Sequence, residues 1–376
     1  MKKVISAGHI CLDITPVFQG EKVKRLDEVL APGKLIQMGE ADVHTGGSVA
    51  NTGLAMKLLG ADIKLMGKTG DDEFGSMIRE IVAGYGAAEG MLTVAGETSS
   101  YSVVLAVPGI DRIVLHHPGA NDTFSADDIS EEALKDCALF HFGYPTLMRK
   151  MYEENGEGLV QLLQKVKKAG AATSLDFAMI NQDTDAGAAD WEAILEKSLP
   201  YVDFFVPSVE ELCFMLDKER FAEWQMRAAG GDITEVLDIA KDVRPLAEQC
   251  LDFGAKIVLI KCGVAGMYLR TTDATGLLEV GAGVELNVTE WADQEIFETC
   301  YEPEAVLSGT GAGDTSIAAF LTAMLKGYSA KWSVSLAAAE GASCVAAYDA
   351  LGGLKSLEEL EEKINKGWKK KGDSLC

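Results

Sequence analysis

The chain has 376 residues, 48% hydrophobic and 24% charged, which is enough for a full buried core and ordinary for a soluble globular protein. Its formal net charge of −24 argues against nucleic-acid backbones and anionic membranes as partners, although a local nest of amides can still hold a small anion. The cysteines (Cys11, Cys137, Cys213, Cys250, Cys262, Cys300, Cys344 and Cys376) are scattered without a C-x-x-C pair, and no apolar run reaches the roughly 18 residues of a membrane span. The expectation is a cytoplasmic protein with mostly buried thiols, no zinc site and no disulfide framework.

In chain order, residues 4–10 read as a first buried strand ending near Asp13. Residues 14–45 are turn-rich, with Pro16, Gly20, Pro32, Gly33 and Gly39, and suit a small strand-built excursion. Thr45-Gly46-Gly47-Ser48-Val49-Ala50-Asn51 then leads into a helix that closes at Gly60. A strand follows at 63–66, and after Gly67-Lys68-Thr69 comes a helix carrying Phe74, Met77, Ile78 and Ile81. Gly67-Lys68-Thr69 imitates the end of a P-loop, but Asp62 stands where the first glycine would fall, so that motif is rejected. Residues 101–107 and 112–116 flank Pro108-Gly109-Ile110-Asp111 as a hairpin.

From about residue 126, helices alternate with strands expected at 139–142, 172–176, 202–206, 257–261, 267–270 and 305–307. Such alternation makes a mostly parallel sheet covered on both faces, an α/β fold. Residues 217–250 look helical, and 281–303 read as a polar, acidic connection. The tail from Ser356 is a charged amphipathic helix ending in Trp368 and lysines, a solvated end rather than a nucleic-acid arm.

The segment from Glu304 to Phe320 carries the chemistry. It reads as a strand, then Thr310-Gly311-Ala312-Gly313-Asp314, then a helix with Ile317, Phe320, Leu321, Met324 and Leu325 at helical spacing before Gly327. Bare backbone at Gly311 and Gly313, next to the positive end of a helix, makes an anion site. Asp314 at its rim suits a base for a hydroxyl attacking phosphate, or an ordinary helix N-cap.

The order of signals (Asp13 after an early strand, Gly46-Gly47 with Asn51 opening a helix, Gly263 and Gly266 after a late strand, then Thr310-Gly311-Ala312-Gly313-Asp314) resembles the ribokinase, or PfkB, family of sugar and nucleoside kinases. The resemblance runs from the first strand to about residue 350. It implies one three-layer α/β/α kinase domain over 1–376 with lid segments near 14–45 and 98–118. It also implies transfer of the γ-phosphate of ATP to a sugar hydroxyl. Asp314 would be the catalytic base, and Gly311, Ala312 and Gly313 the anion hole. Asp13, Gly46, Gly47 and Asn51 would hold the sugar. Ser208, Glu211, Lys261, Gly263, Gly266 and Thr310 would lie at the nucleotide, with Glu211 supporting Mg2+ through water. A homodimer through the lid is compatible with the family.

Three departures from the family pattern involve four positions. Ser308 and Gly309 replace Asp-Thr, which weakens the expectation of a bound monovalent cation. Ser208 replaces Asn in Asn-x-x-Glu, and Lys261 stands where many relatives have threonine. A nucleoside kinase, with Phe18, Tyr101 or Phe177 against a base, and a non-catalytic ligand-binding homologue remain alternatives.

Overall fold

The computed structural model describes residues 2–110 and 112–371. Asp111, assigned to the hairpin turn, and Cys376 lie outside the described residues. The strands in chain order are β1 (Lys3–Gly8), β2 (Cys11–Phe18), β3 (Met38–Gly46), β4 (Asp62–Met66), β5 (Lys68–Gly70), β6 (Leu92–Val94) and β7 (Tyr101–Leu105). They continue with β8 (Ile113–His117), β9 (Cys137–Gly143), β10 (Ala172–Asp176), β11 (Phe204–Phe205), β12 (Ile257–Lys261), β13 (Gly266–Thr271) and β14 (Glu295–Thr299).

The central sheet has eight strands in the order β14-β13-β12-β11-β10-β9-β1-β4. Neighbours are parallel from β4 to β12, and β13 and β14 are added antiparallel. Because a strand points successive side chains to opposite faces, a parallel strand buried on both sides must be apolar throughout. The chain meets that demand at most positions, the exceptions being buried polar residues such as Ser6, His141, Thr173, Ser174 and Asp176. Val4, Leu139, Phe204, Ile257 and Leu259 pack on one face with the helices Ser48–Leu58, Ala312–Leu325 and Ala330–Cys344. Ile5, Phe140, Phe205, Val258 and Ile260 pack on the other, against the helices Arg149–Lys168, Trp191–Ser198 and Val209–Leu216.

A second sheet has the order β3-β2-β7-β8. Its β2–β3 and β7–β8 pairs are antiparallel, and β2 runs parallel to β7. Gly8 makes the branch between the sheets. Its φ is +124°, and a Cβ there would lie 2.3 Å from Gly143 O, so only glycine lets the ends of β1 and β9 come this close. The expected excursion and hairpin correspond to β2–β3 and β7–β8.

Several expectations are corrected. Asp13 does not end the first strand; β1 stops at Gly8 and Asp13 is the third residue of β2. Residues 305–307, expected as a strand, form none, and Val306 and Leu307 are exposed; β14 is the sheet's edge strand on the side of β13. The 202–206 strand is reduced to Phe204–Phe205. The 281–303 connection holds the helix Val288–Trp291 and β14, whose polar residues suit an edge strand. Short β5 and β6 pair with each other and were not anticipated. Of the described cysteines, six are buried and Cys300 is partly buried, and all are free.

Candidate active site

The parallel strands deliver their C-terminal ends to one level. Gly143 at the end of β9 pairs with both Gly8 of β1 and Asp176 of β10. The second sheet stands beside these ends, and the helix Ala312–Leu325 starts there. Together they enclose a cavity of about 1390 Å³ lined by, among others, Asp13, Gly47, Asn51, Tyr144, Thr310, Gly311 and Asp314.

Asp314 lies in the first turn of its helix, buried, and three side chains from other elements converge on it. Asn51 Nδ2 donates to Oδ2 at 3.0 Å and Thr52 Oγ1 donates to Oδ1 at 3.0 Å, both from the helix opened by Gly46-Gly47. The Tyr144 hydroxyl reaches both oxygens, at 2.9 and 2.7 Å. Asp314 is therefore not a local N-cap. The helix's N-cap is Gly311, with φ +73°, where a Cβ would meet that of Ala350 at 2.2 Å. The first-turn N–H groups of this helix have no intrahelical acceptors and carry its positive end.

Asp13 faces the cavity from β2, opposite His44 of β3. A Cβ on Gly46 would stand 2.0 Å from Asp13 Oδ2, so Gly46 makes the room that this carboxylate occupies. Gly47, at φ +86°, sits where a Cβ would meet His9 Nδ1 at 2.6 Å. His9 and His116 line the same wall with their Nε2 atoms 3.3 Å apart, and His116 Nδ1 lies 3.1 Å from Ser102 Oγ. Burial, then the neighbouring His116, holds His9 well below the usual imidazole range; burial also lowers His116. Both rings are neutral donors and acceptors at neutral pH, suited to hydroxyl groups.

At the loop before the helix, Ser308 Oγ donates to Thr310 Oγ1 at 2.9 Å and accepts from Thr310 N at 3.1 Å. Arg112, from the β7–β8 connection, donates to Thr310 Oγ1 and so ties the second sheet to this loop. On the other side of Gly313 stands Lys261. A Cβ on Gly313 would be 3.6 Å from Lys261 Nζ, and that ammonium is 2.7 Å from Asp176 Oδ1. Burial lowers the Lys261 pKa, but Asp176 and Glu211 outweigh it and carry it above the ordinary lysine value. Burial raises both Asp176 and Glu211, against the pull of Lys261, whose ammonium at 2.7 Å favours the ionised Asp176. Three carboxylates, Asp176, Glu211 and Asp314, thus surround one ammonium.

Ser208 and Glu211 are turned on each other. Ser208 N donates to Glu211 Oε2 at 2.7 Å and Glu211 N to Ser208 Oγ at 3.2 Å, a capping box opening the helix Val209–Leu216. No group of three or more His, Cys, Asp or Glu side chains among the described residues could hold a metal directly. Asp176 Oδ2 is buried without a partner, which leaves a carboxylate oxygen for a hydrated cation or a phosphate-bound one. Gly263 and Gly266 form the β12–β13 turn. They pack against Thr234 and the Glu298 carbonyl and are not in the cavity lining.

Tyr144, Arg112, Asp176, His9, His116 and Thr52 were not anticipated from the sequence. Thr52 directly follows the Gly46-Gly47…Asn51 segment, and the others come singly from strand ends or a hairpin turn with no motif around them. The signals available were the adjacency of Thr52 to Asn51 and Tyr144-Pro145, a break directly after a buried strand.

Residues 1–355 match the profile of the pfkB family carbohydrate kinases. A 5-dehydro-2-deoxygluconokinase from Clostridium beijerinckii is 23% identical over 384 residues, covering 99% of this chain and 96% of that protein. Fructokinase-1 from Zea mays is 28% identical over 177 residues, and the match spans only 46% of this chain and 50% of the relative. Among solved structures, a putative Ribokinase II from E. coli in complex with ATP and Mg2+ superimposes with a TM-score of 0.68 at 20% identity, over 97% of this chain and all of the other. The last comparison concerns the fold, which is ribokinase-like. With the profile covering nearly all of its length, the chain belongs to the pfkB family of carbohydrate kinases.

Proposed function

We propose that this protein transfers the γ-phosphate of ATP to a hydroxyl of a sugar or sugar-like molecule. The observation that carries this reading is Asp314. It sits at the positive end of a helix, beside the Gly311–Gly313 backbone, and faces a cavity shared with Asp13 and Asn51. Asp13, Asn51 and the two neutral histidines bind and orient the acceptor's hydroxyls. Asp314 takes the proton from the reacting hydroxyl as its oxygen bonds to the γ-phosphorus, and the amides at 311–313 receive the charge that builds on the phosphoryl oxygens. Magnesium, bound to the nucleotide, would offset phosphate charge, with Glu211 and Asp176 accepting hydrogen bonds from its waters. The β2–β3 and β7–β8 sheet serves as a lid that excludes water, with Arg112 as its latch on Thr310. Val43 and Leu115 of this sheet are exposed outside the cavity lining and are where a second copy would pack.

A nucleoside acceptor is the second reading. It is favoured by the apolar side chains Phe18, Leu147, Met179 and Ile180 in the cavity lining; the other two candidates, Tyr101 and Phe177, are not in the lining. ADP release across a panel of pentoses, hexoses, sugar acids, inositols and nucleosides decides between these readings. Asp314→Asn is expected to lower turnover at least about a hundredfold with the fold intact. Unchanged turnover in that variant would remove the base assignment, and silence across the panel with nucleotide still bound would favour a non-catalytic role.

A further inference from the structure

Tyr144 has the backbone of a residue placed against local preference. It follows β9 directly, precedes Pro145, and has φ +65°, a left-handed conformation uncommon for a bulky side chain. Its position is held from both sides, its N–H donating to Asp176 O at 3.1 Å and its carbonyl accepting from Leu147 N at 3.0 Å. The result is that the phenol lies in the cavity with its hydroxyl 2.9 Å from Asp314 Oδ1 and 2.7 Å from Oδ2.

A carboxylate oxygen accepts about two hydrogen bonds. Oδ1 already meets Thr52 and Tyr144, and Oδ2 meets Asn51 and Tyr144. Three protein donors thus face the carboxylate's roughly four acceptor positions, the single phenol proton being shared between Oδ1 and Oδ2. Of the three, Asn51 and Tyr144 line the cavity, and Tyr144 is the one that offers a hydroxyl from there. Burial, then the nearby Asp314, keeps the phenol well above its usual pKa, so it remains a donor.

We propose that Tyr144 is a stand-in for the acceptor hydroxyl, occupying Asp314 until the sugar displaces it and denying water that place in the meantime. The inference rests on the reading of Asp314 as the base. The side reaction it suppresses is hydrolysis. A water oxygen would bond to the γ-phosphorus, the bond to the β–γ bridging oxygen would break, ADP would leave, and the water proton would pass to Asp314. Tyr144 acts through Asp314 and is a positioning residue.

The test compares wild type, Tyr144→Phe and Tyr144→Asn, each alone and combined with Asp314→Asn, for ADP release from magnesium-ATP with and without acceptor. Asparagine tolerates the left-handed backbone and is too short to reach Asp314, so it guards against a folding defect peculiar to phenylalanine. Without acceptor, both Tyr144 variants should release ADP roughly tenfold faster than wild type, and Asp314→Asn should abolish the gain. With acceptor, KM should fall while kcat stays within a few-fold, since the acceptor no longer competes with the phenol. Acceptor-free release at the wild-type rate in both folded variants overturns the proposal, as does a gain that survives Asp314→Asn. The acceptor-free arm needs no acceptor to be identified. A wild type silent with every acceptor would count against the kinase reading, while the role of Tyr144 would still be decided by that arm.

Discussion

Lys261 Nζ lies 2.7 Å from Asp176 Oδ1, joining the end of β12 to the end of β10 beside the first turn of the Asp314 helix. Both side chains are nearly enclosed, so the pair does two things at once: it satisfies buried charge and sets a cation next to Gly313.

Those two roles separate by mutation. Lys261→Met leaves Asp176 buried without its partner and should lower stability by about 3–5 kcal/mol, with loss of turnover. Lys261→Met with Asp176→Asn should recover most of that stability in urea melts but not the turnover. Recovery of both would make the pair purely structural.

Gly46→Ala tests the acceptor site. The new methyl would collide with Asp13 Oδ2, displacing a carboxylate that lines the cavity. KM for the acceptor should rise about tenfold or more, with nucleotide affinity close to wild type by calorimetry. An unchanged KM would take Asp13 out of acceptor binding.

Arg112→Ala removes the link between the β7–β8 connection and Thr310. Arg112 is exposed, so stability should move by less than about 0.5 kcal/mol. Turnover with acceptor should fall about tenfold, and ADP release without acceptor should become a larger share of the total, as expected of a lid that closes poorly. An unaltered ratio of the two would argue against the latch.

Glu340 supplies a pH dependence independent of catalysis. It is fully buried in the helix Ala330–Cys344, its carboxylate accepts from Lys355 N at 3.2 Å, and burial raises its pKa from 4.5 to about 8. The folded protein keeps this proton to higher pH than the unfolded chain, so unfolding releases it and stability falls as pH rises between those two values. Glu340→Gln should remove a slope of about 1.4 kcal/mol per pH unit across that window and be the more stable protein at pH 8 in thermal melts. Parallel pH profiles for the two proteins would refute this.

The parts legible in the sequence were those encoded by neighbours along the chain. The apolar run Ile257-Val258-Leu259-Ile260 announced β12 to the residue, because a parallel strand is buried on both faces. The glycines around Gly46-Gly47 and Gly311-Ala312-Gly313 announced helix starts. The failures had the same origin. Residues 305–307 are apolar enough for a strand, but the sheet edge is taken by β14, Glu295-Ile296-Phe297-Glu298-Thr299, a mixed segment without regular alternation.

What only the tertiary structure decided is which side chains meet. Asn51 and Asp314 are separated by 263 positions, Tyr144 and Asp314 by 170, and Lys261 and Asp176 by 85. Local sequence determined that this chain is an α/β protein with a glycine-rich turn at a helix start. The parallel sheet, by bringing distant strand ends to one level, decided that Asp314 would be surrounded by Asn51, Thr52 and Tyr144. No periodicity records such a meeting, because hydrogen bonds between remote segments depend on distance in space and not along the chain.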